Sequence, residues 1–163
     1  MDICSIGGNI AENAGGPRCL KYGVTGDYVL GLSGFYIDGT PFQFGGPLYK
    51  NVAGYDVMRL LIGSEGTLAI VTDITLRLLP LPKETLDLLV VFETFSDATA
   101  ALQQAVSSHI SIAAAEFIDG FCLQAVSAHL NQAISHSEHP AHILFQLDGK
   151  SIEDVEQDLA RLI

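Results

Sequence analysis

The residues best suited to chemistry are glycines set among small polar groups. Gly63-Ser64-Glu65-Gly66-Thr67 leads straight into an apolar stretch, and Ser5-Ile6-Gly7-Gly8-Asn9 and Ala11-Glu12-Asn13-Ala14-Gly15-Gly16 lie upstream. Glycine permits unusual dihedrals and leaves room beside the main chain, so backbone N–H groups can face an anion such as a pyrophosphate without a lysine. Ordinary turns would explain any one pair of these glycines. Three clusters together favour a dinucleotide threaded through loops and held mainly by main chain. The pattern is neither a Walker loop nor a Rossmann fingerprint: G-x-x-x-x-G-K-[ST] is missing, and no G-x-G-x-x-G follows a predicted strand.

The other candidates are weaker. Glu65 could accept hydrogen bonds from cofactor hydroxyls or bind neighbouring amides to shape its turn, and the sequence leaves both open. Lys50, Asn51 and Tyr55 could supply polar groups near a substrate, but holding the loop before the next helix is the favoured role. Asp56 reads as a helix cap rather than a base. His136, Glu138, His139 and His142 invite a metal reading, which is set aside because Pro140 breaks any helix that would align them and the segment reads as an exposed loop. No metal is expected. Cys4 and Cys19 flank the glycine loops without a cationic neighbour in sequence to activate a thiolate. No Ser-His-Asp, Cys-His or paired-carboxylate arrangement assembles, so no catalytic residue is assigned and the chemistry must come largely from a cofactor. The glycine pattern points to a flavin site, or half of one.

Composition divides the 163 residues into two regions. Fourteen of the sixteen glycines fall in residues 1–80, and the break coincides with Leu79-Pro80-Leu81-Pro82, which reads as a linker. Charge divides there too: net −2 before residue 81 and −9 after it, together the −11 of the chain. A field of that sign repels nucleic-acid phosphates and anionic lipid, which disfavours both as partners. Three cysteines without metal-ligand spacing suggest thiols in a reducing compartment, with the cytoplasm expected. No apolar run approaches the roughly 18 residues of a membrane helix. Both ends read as cut, so the chain is expected to be a fragment. Its hydrophobic fraction of 48% then predicts exposed apolar surface and a homodimer or larger species.

The elements that must position the glycines follow from periodicity. Residues 1–26 read as loop. Residues 28–37 and 41–44, joined by Asp38-Gly39-Thr40, read as a hairpin, because Asp-Gly accepts positive φ. Asp56 should cap a helix over 57–62 that Gly63 ends. From Leu68 a period of two predicts one strand with Leu68, Ile70, Thr72, Ile74, Leu76 and Leu78 on one side. After Pro82, strands over 86–92, 112–118 and 143–147 alternate with helices. The first helix is capped by Ser96 and striped by Ala98, Ala101, Leu102, Ala105 and Val106. The second buries Cys122, Ala125 and Val126, and the third is lined by Ile152, Val155, Leu159 and Leu162. The expected fold is α+β, its second part an incomplete ferredoxin-like α/β sandwich.

Four ordered motifs carry a family likeness: Ser5 to Arg18 (SIGGNIAENAGGPR), Lys21-Tyr-Gly-Val-Thr25, Lys50-Asn-Val-Ala-Gly-Tyr-Asp56 and Gly63-Ser-Glu-Gly-Thr67. They resemble the FAD-linked oxidases of the vanillyl-alcohol oxidase (PCMH-type) superfamily, on the branch of the glycolate oxidase flavin subunit and the D-lactate and D-2-hydroxyglutarate dehydrogenases. The likeness is dense through residue 82 and looser beyond. It implies that residues 1–82 are the C-terminal part of a PCMH-type FAD-binding domain and that 83–163 begin the family's C-terminal cap domain. It further implies that Ile6, Gly7, Gly8 and Asn9, with Asn13, Ala14, Gly15 and Gly16, approach the FAD pyrophosphate and ribose. Gly23 would lie nearby, and Glu65, Gly66 and Ile70 would run beside the cofactor. The implied substrate is a small D-2-hydroxy acid such as glycolate or D-lactate, oxidised by hydride transfer to the flavin, with electrons passing to an acceptor or a partner oxidase subunit. Three departures stand out: the family's first FAD loop and its metal ligands match nothing here, Ser33-Gly34 replace larger residues, and Gly26 stands where a bulkier side chain is common. The implied consequence is a chain inactive by itself. A second reading is a non-catalytic assembly subunit of a multi-subunit glycolate oxidase, because the partner subunit of that enzyme shares Gly45-Gly46 and Lys50 to Asp56. Glu65-Gly66 favours the flavin subunit.

Overall fold

A computed structural model describes residues 4–163. The chain folds as two compact units. The first comprises residues up to Gly16 together with Gly23–Pro80, and the second comprises Pro17–Tyr22 with Leu81–Ile163. Both mix helices with antiparallel sheet, the α+β class that the sequence predicts.

The first unit opens with helix α1 (Ile6–Glu12), where the sequence predicts only loop. Gly7 and Gly8 weaken a helix, but its two ends are fixed locally. Ser5 caps the start by accepting a hydrogen bond from the Gly8 amide at 3.0 Å. Asn13, at φ +49°, closes the end in the left-handed conformation that Asn tolerates. After a second short helix, α2 (Cys19–Tyr22), a 3-10 turn (Thr25–Tyr28) leads into strand β1 (Val29–Tyr36). Strand β2 (Pro41–Gly45) returns antiparallel to it through the expected Asp38-Gly39 turn, with Gly39 at φ +82°. Asp56 caps α3 (Val57–Leu61) by accepting from the Arg59 amide at 3.1 Å, and Gly63 at φ +81° follows the end of the helix, as expected.

Strand β3 (Ala69–Leu76) pairs on the other edge of β1, giving the order β2-β1-β3. Its facing differs from the simple alternation. Ser33 pairs with Asp73 and Gly34 with Val71, so Thr72 is an extra residue and the strand bulges there. A bulge reverses the side-chain phase. Ala69 and Val71 before it, and Ile74 and Leu76 after it, therefore pack on the core, whereas Ile70 is 63% exposed. The core behind the sheet contains Ile10, Val29, Leu32, Phe42, Leu61 and Ile62.

In the second unit, β4 (Glu84–Phe92), β5 (Ile112–Asp119) and β6 (Ala141–Gly149) form an antiparallel sheet in the order β4-β6-β5. Helices α4 (Phe95–Ser107), α5 (Gly120–Leu130) and α6 (Ile152–Leu162) alternate with the strands as the sequence predicts. The α4 cap is Thr94 rather than Ser96, with its hydroxyl accepting from the Asp97 amide at 3.1 Å. Ala98, Leu102 and Ala105 of α4 pack with Val155, Leu159 and Leu162 of α6 on one side of β6, against Ala141, Ile143, Phe145 and Leu147. Val106 and Ile152, expected on those stripes, are about half exposed. Helix α5 turns a different face inward: Gly120 and Leu123 are buried, whereas Cys122, Ala125 and Val126 are exposed. Its cap sets that rotation, because Asp119 accepts from the Cys122 amide at 2.6 Å. This bond holds the Asp119 carboxyl below the usual carboxylate range, and the adjacent carboxylate pushes the Cys122 thiol up, so that thiol is a poor nucleophile.

Alternation gives β6 a second face, formed by His142, Leu144, Gln146 and Asp148. Asp148 is a buried carboxylate that pairs with the Lys21 ammonium and accepts from the Tyr22 hydroxyl at 2.7 Å. Arg18 Nε donates to Gln146 Oε1 at 2.6 Å, and the Gln146 amide donates to Asp87 at 2.7 Å. The Pro17–Tyr22 segment thus belongs to the second unit although it sits between the glycine clusters in sequence. Among the described residues no helix is long and apolar enough to cross a membrane.

Candidate functional site

The first unit brings the glycine clusters together by main-chain bonds. The Gly63 amide donates to the Ile10 carbonyl at 2.9 Å, and the Glu65 amide donates to the Ala11 carbonyl at 3.0 Å. These two bonds lash the Gly63–Thr67 turn to α1. Asn13 is the other tie. Its amide nitrogen closes α1 onto Ile10, and its side-chain Oδ1 accepts from the Gly26 amide at 2.8 Å. The Ala14 carbonyl accepts from both the amide and the hydroxyl of Thr25, at 3.0 and 2.8 Å. Asn13, Ala14, Glu65 and Gly66 are therefore held around the end of α1, the helix that carries Ile6, Gly7, Gly8 and Asn9, and Gly15 and Gly16 follow directly.

The glycines divide by what a side chain would meet there. At Gly7, Gly16 and Gly66 a Cβ would find nothing within 4 Å, and all three residues are exposed. Internal packing does not require glycine at Gly7 or Gly16, whereas Gly66, at φ +74°, is needed by its turn. Gly7 is the clearest case, because glycine inside a helix costs about 0.5–1 kcal/mol relative to alanine. At Gly8 a Cβ would press on the Ser5 hydroxyl at 3.0 Å, so its smallness serves the cap. Gly23 has an internal reason as well: at φ +74° its Cβ would run into the Asp27 carboxylate. Asp27 accepts from the Val24 amide at 2.9 Å, which with the Arg59 guanidinium holds its carboxyl below the usual range.

The remaining candidates spread out. Glu65 takes φ +53° with its amide already used, leaving its exposed carboxylate to face outward. Ile70 stands out on β3 beyond the turn, in the outward position that the Thr72 bulge creates. Gly34 on β1 leaves room for this stretch, since a Cβ there would collide with the Ile70 carbonyl. Lys50, Asn51 and Tyr55 are all exposed, Tyr55 by 96%, so their side chains do not hold the loop as expected; the Asp56 cap does.

An extended anion with hydroxyl groups fits the surface so built: the open glycines admit close main-chain approach, and Glu65 offers an acceptor. A dinucleotide such as FAD meets both conditions.

Comparison with known proteins decides the family. Residues 81–163, just over half of the chain, match the family described as FAD linked oxidases, C-terminal domain. The chain belongs to the FAD-linked oxidases. Residues 1–45 match a second family, described as FAD binding domain, and FAD is the cofactor that both names specify. Glycolate oxidase subunit GlcD of Bacillus subtilis (strain 168) is 41% identical over 162 residues, covering 99% of this chain and 34% of that protein. A D-lactate dehydrogenase of Anaerostipes hadrus is 34% identical over 159 residues, covering 94% of this chain and 34% of the relative. A D-2-hydroxyglutarate dehydrogenase of Xanthomonas citri pv. viticola is 40% identical over 141 residues, covering 86% and 30%. The chain thus spans about a third of the length of these relatives. Among solved structures, an alkyldihydroxyacetonephosphate synthase aligns with a TM-score of 0.73 at 22% identity, over 96% of this chain and 30% of that one. That likeness concerns the fold: part of a PCMH-type FAD-binding domain followed by a ferredoxin-like sandwich of the oxidase cap.

Sequence reasoning about this FAD-linked oxidase missed the buried Asp148 and its partners Lys21 and Tyr22. A lone carboxylate ending the apolar run 143–147 was the available signal. It also missed that His142 is buried in β6 rather than exposed in a loop.

Proposed function

We propose that the protein carrying this chain oxidises a D-2-hydroxy acid, such as glycolate or D-lactate, to the 2-oxo acid, and that this chain contributes part of the FAD site. Gly7 and Gly16 carry the proposal, as exposed glycines that the fold itself does not require. The names of the relatives support the substrate class, since glycolate, D-lactate and D-2-hydroxyglutarate are all 2-hydroxy acids. FAD held there would supply the two-electron oxidant that accepts hydride from the 2-hydroxy acid.

The residues of this chain bind and orient. Ile6, Gly7, Gly8 and Asn9, with Asn13, Ala14, Gly15 and Gly16, line the pyrophosphate and ribose with main chain. Gly23 shapes the adjoining turn, Glu65 and Gly66 border the cofactor, and Ile70 gives it an apolar wall. The proton acceptor is not among the residues assigned. Three cysteines without a disulfide pattern support a cytoplasmic location. Electron transfer calls for an acceptor or a partner oxidase subunit.

The assembly reading draws on a separate observation. Leu48, Tyr49, Val52 and Tyr55 form a mostly exposed apolar segment, with Tyr49 at 91% and Val52 at 82%, which suits contact with another subunit or a second copy.

The test is flavin reduction. In the whole protein, glycolate or D-lactate added without oxygen is expected to bleach the flavin absorbance, and the L-hydroxy acid is not. A flavin that stays oxidised with glycolate, D-lactate and D-2-hydroxyglutarate alike would overturn the substrate class.

A further inference from the structure

The geometry points to a site for a divalent transition metal of the zinc class on the second unit, built from His136, Glu138 and His139. One ligand atom from each of these side chains lies within 4.8 Å of the others. His139 Nε2 stands 3.6 Å from Glu138 Oε1. Tetrahedral Zn²⁺, with bonds of about 2.0–2.1 Å, separates its ligand atoms by roughly 3.3–3.4 Å, so small side-chain rotations close the set. Two imidazoles and a carboxylate suit Zn²⁺ better than Mg²⁺ or Ca²⁺, which prefer oxygen throughout.

The surroundings are those of a supported site rather than a chance surface cluster. Glu93, at the end of β4, lies 3.4 Å from His139 Nδ1. A carboxylate there is placed to orient the His139 ring, the kind of support that metal-bound histidines usually have. His142, fully buried on β6, places Nε2 at 2.8 Å from the His136 carbonyl. A ring nitrogen facing a carbonyl oxygen carries the proton, so His142 donates and pins the His136 main chain, which stands at φ +63°. Further ties hold the turn: the His139 amide donates to the His136 carbonyl at 3.1 Å, and the Gln124 side-chain amide donates to the Ser137 carbonyl at 2.9 Å. Pro140 does prevent a helix here, but a turn brings the ligands together without one. Binding would tether the 131–140 connection to the end of β4. All these residues lie in the second unit, outside the glycine cluster.

Calorimetric titration of ZnCl₂ into the 163-residue chain tests the site, and visible absorbance of bound Co²⁺ reports tetrahedral geometry. One ion per chain is expected, at micromolar affinity or tighter. The paired substitution His136→Ala/His139→Ala should weaken binding at least 100-fold. Glu93→Gln, a milder change, should weaken it about 10- to 100-fold. His109→Ala/His129→Ala should leave it unchanged. Circular dichroism without metal should show each variant folded. Binding that does not saturate below millimolar Zn²⁺, or that survives loss of both His136 and His139, would overturn the proposal.

Discussion

Replacing Lys21 by Met is expected to destabilise the second unit by about 3 kcal/mol, the lower end of the range for breaking a buried ion pair. The Asp148 carboxylate is fully buried, while the Lys21 side chain keeps 27% of its exposure. Removing the ammonium leaves a buried charge compensated by the Tyr22 hydroxyl and little else. The cost is therefore chiefly the penalty on Asp148 rather than a lost attraction, so a second change should relieve part of it. In Lys21→Met/Asp148→Asn the uncompensated charge is gone and the Asn side chain can still accept from Tyr22. The double variant should be more stable than Lys21→Met alone, with a coupling of at least about 1 kcal/mol. Urea unfolding followed by circular dichroism reads both numbers. A Lys21→Met loss within about 0.5 kcal/mol, the range of an ordinary surface change, would mean that the pair does not hold Pro17–Tyr22 in the second unit.

The second large effect falls on the glycine cluster. Asn13→Ala removes the acceptor for the buried Gly26 amide and places a Cβ residue without local polar compensation at φ +49°. An unsatisfied buried donor costs about 1–3 kcal/mol, and the left-handed conformation about 1–2 kcal/mol more, so a loss of about 2–5 kcal/mol is expected. Asn13→Gly separates the two causes. Glycine adopts the same backbone freely, so this variant should recover about 1 kcal/mol while the Gly26 amide stays unsatisfied. Equal losses in the two variants would show that backbone conformation contributes nothing. Asn13 thus has a structural task, as the bracket between α1 and the Gly26 turn, in addition to its proposed place beside the cofactor.

Local signals were legible in the sequence. The Asp38-Gly39 hairpin, the Asp56 cap and the strand–helix alternation after Pro82 each depend on residues a few positions apart, and the structure has them all. Helix α1 was not legible, because Gly7 and Gly8 read as breakers while the stabilising groups, Ser5 and Asn13, lie at its ends. The outward face of β3 depended on a bulge at Thr72 that only pairing with β1 reveals. Helix α5 buried Leu123 instead of Cys122, since Asp119 fixes where the first turn begins. The polar face of β6 needed partners more than 120 residues away in sequence, beyond any periodicity argument. For the site, the three glycine clusters were visible. Which glycines face outward and which serve packing required coordinates: Gly7, Gly16 and Gly66 have open space beside them, and Gly23 does not.

Calorimetric titration of FAD into the flavin-free whole protein, run in parallel on its Gly7→Ala variant, is the decisive test of the glycine site. Alanine at position 7 meets no atom within 4 Å and suits a helix better than glycine, so the variant should be more stable by about 0.5–1 kcal/mol. The glycine cluster predicts saturable binding of FAD, weaker or absent binding of riboflavin, and at least a tenfold loss of FAD affinity in Gly7→Ala despite its greater stability. No heat with FAD, or the same affinity in Gly7→Ala as in the unaltered protein, would leave the open glycines without a ligand.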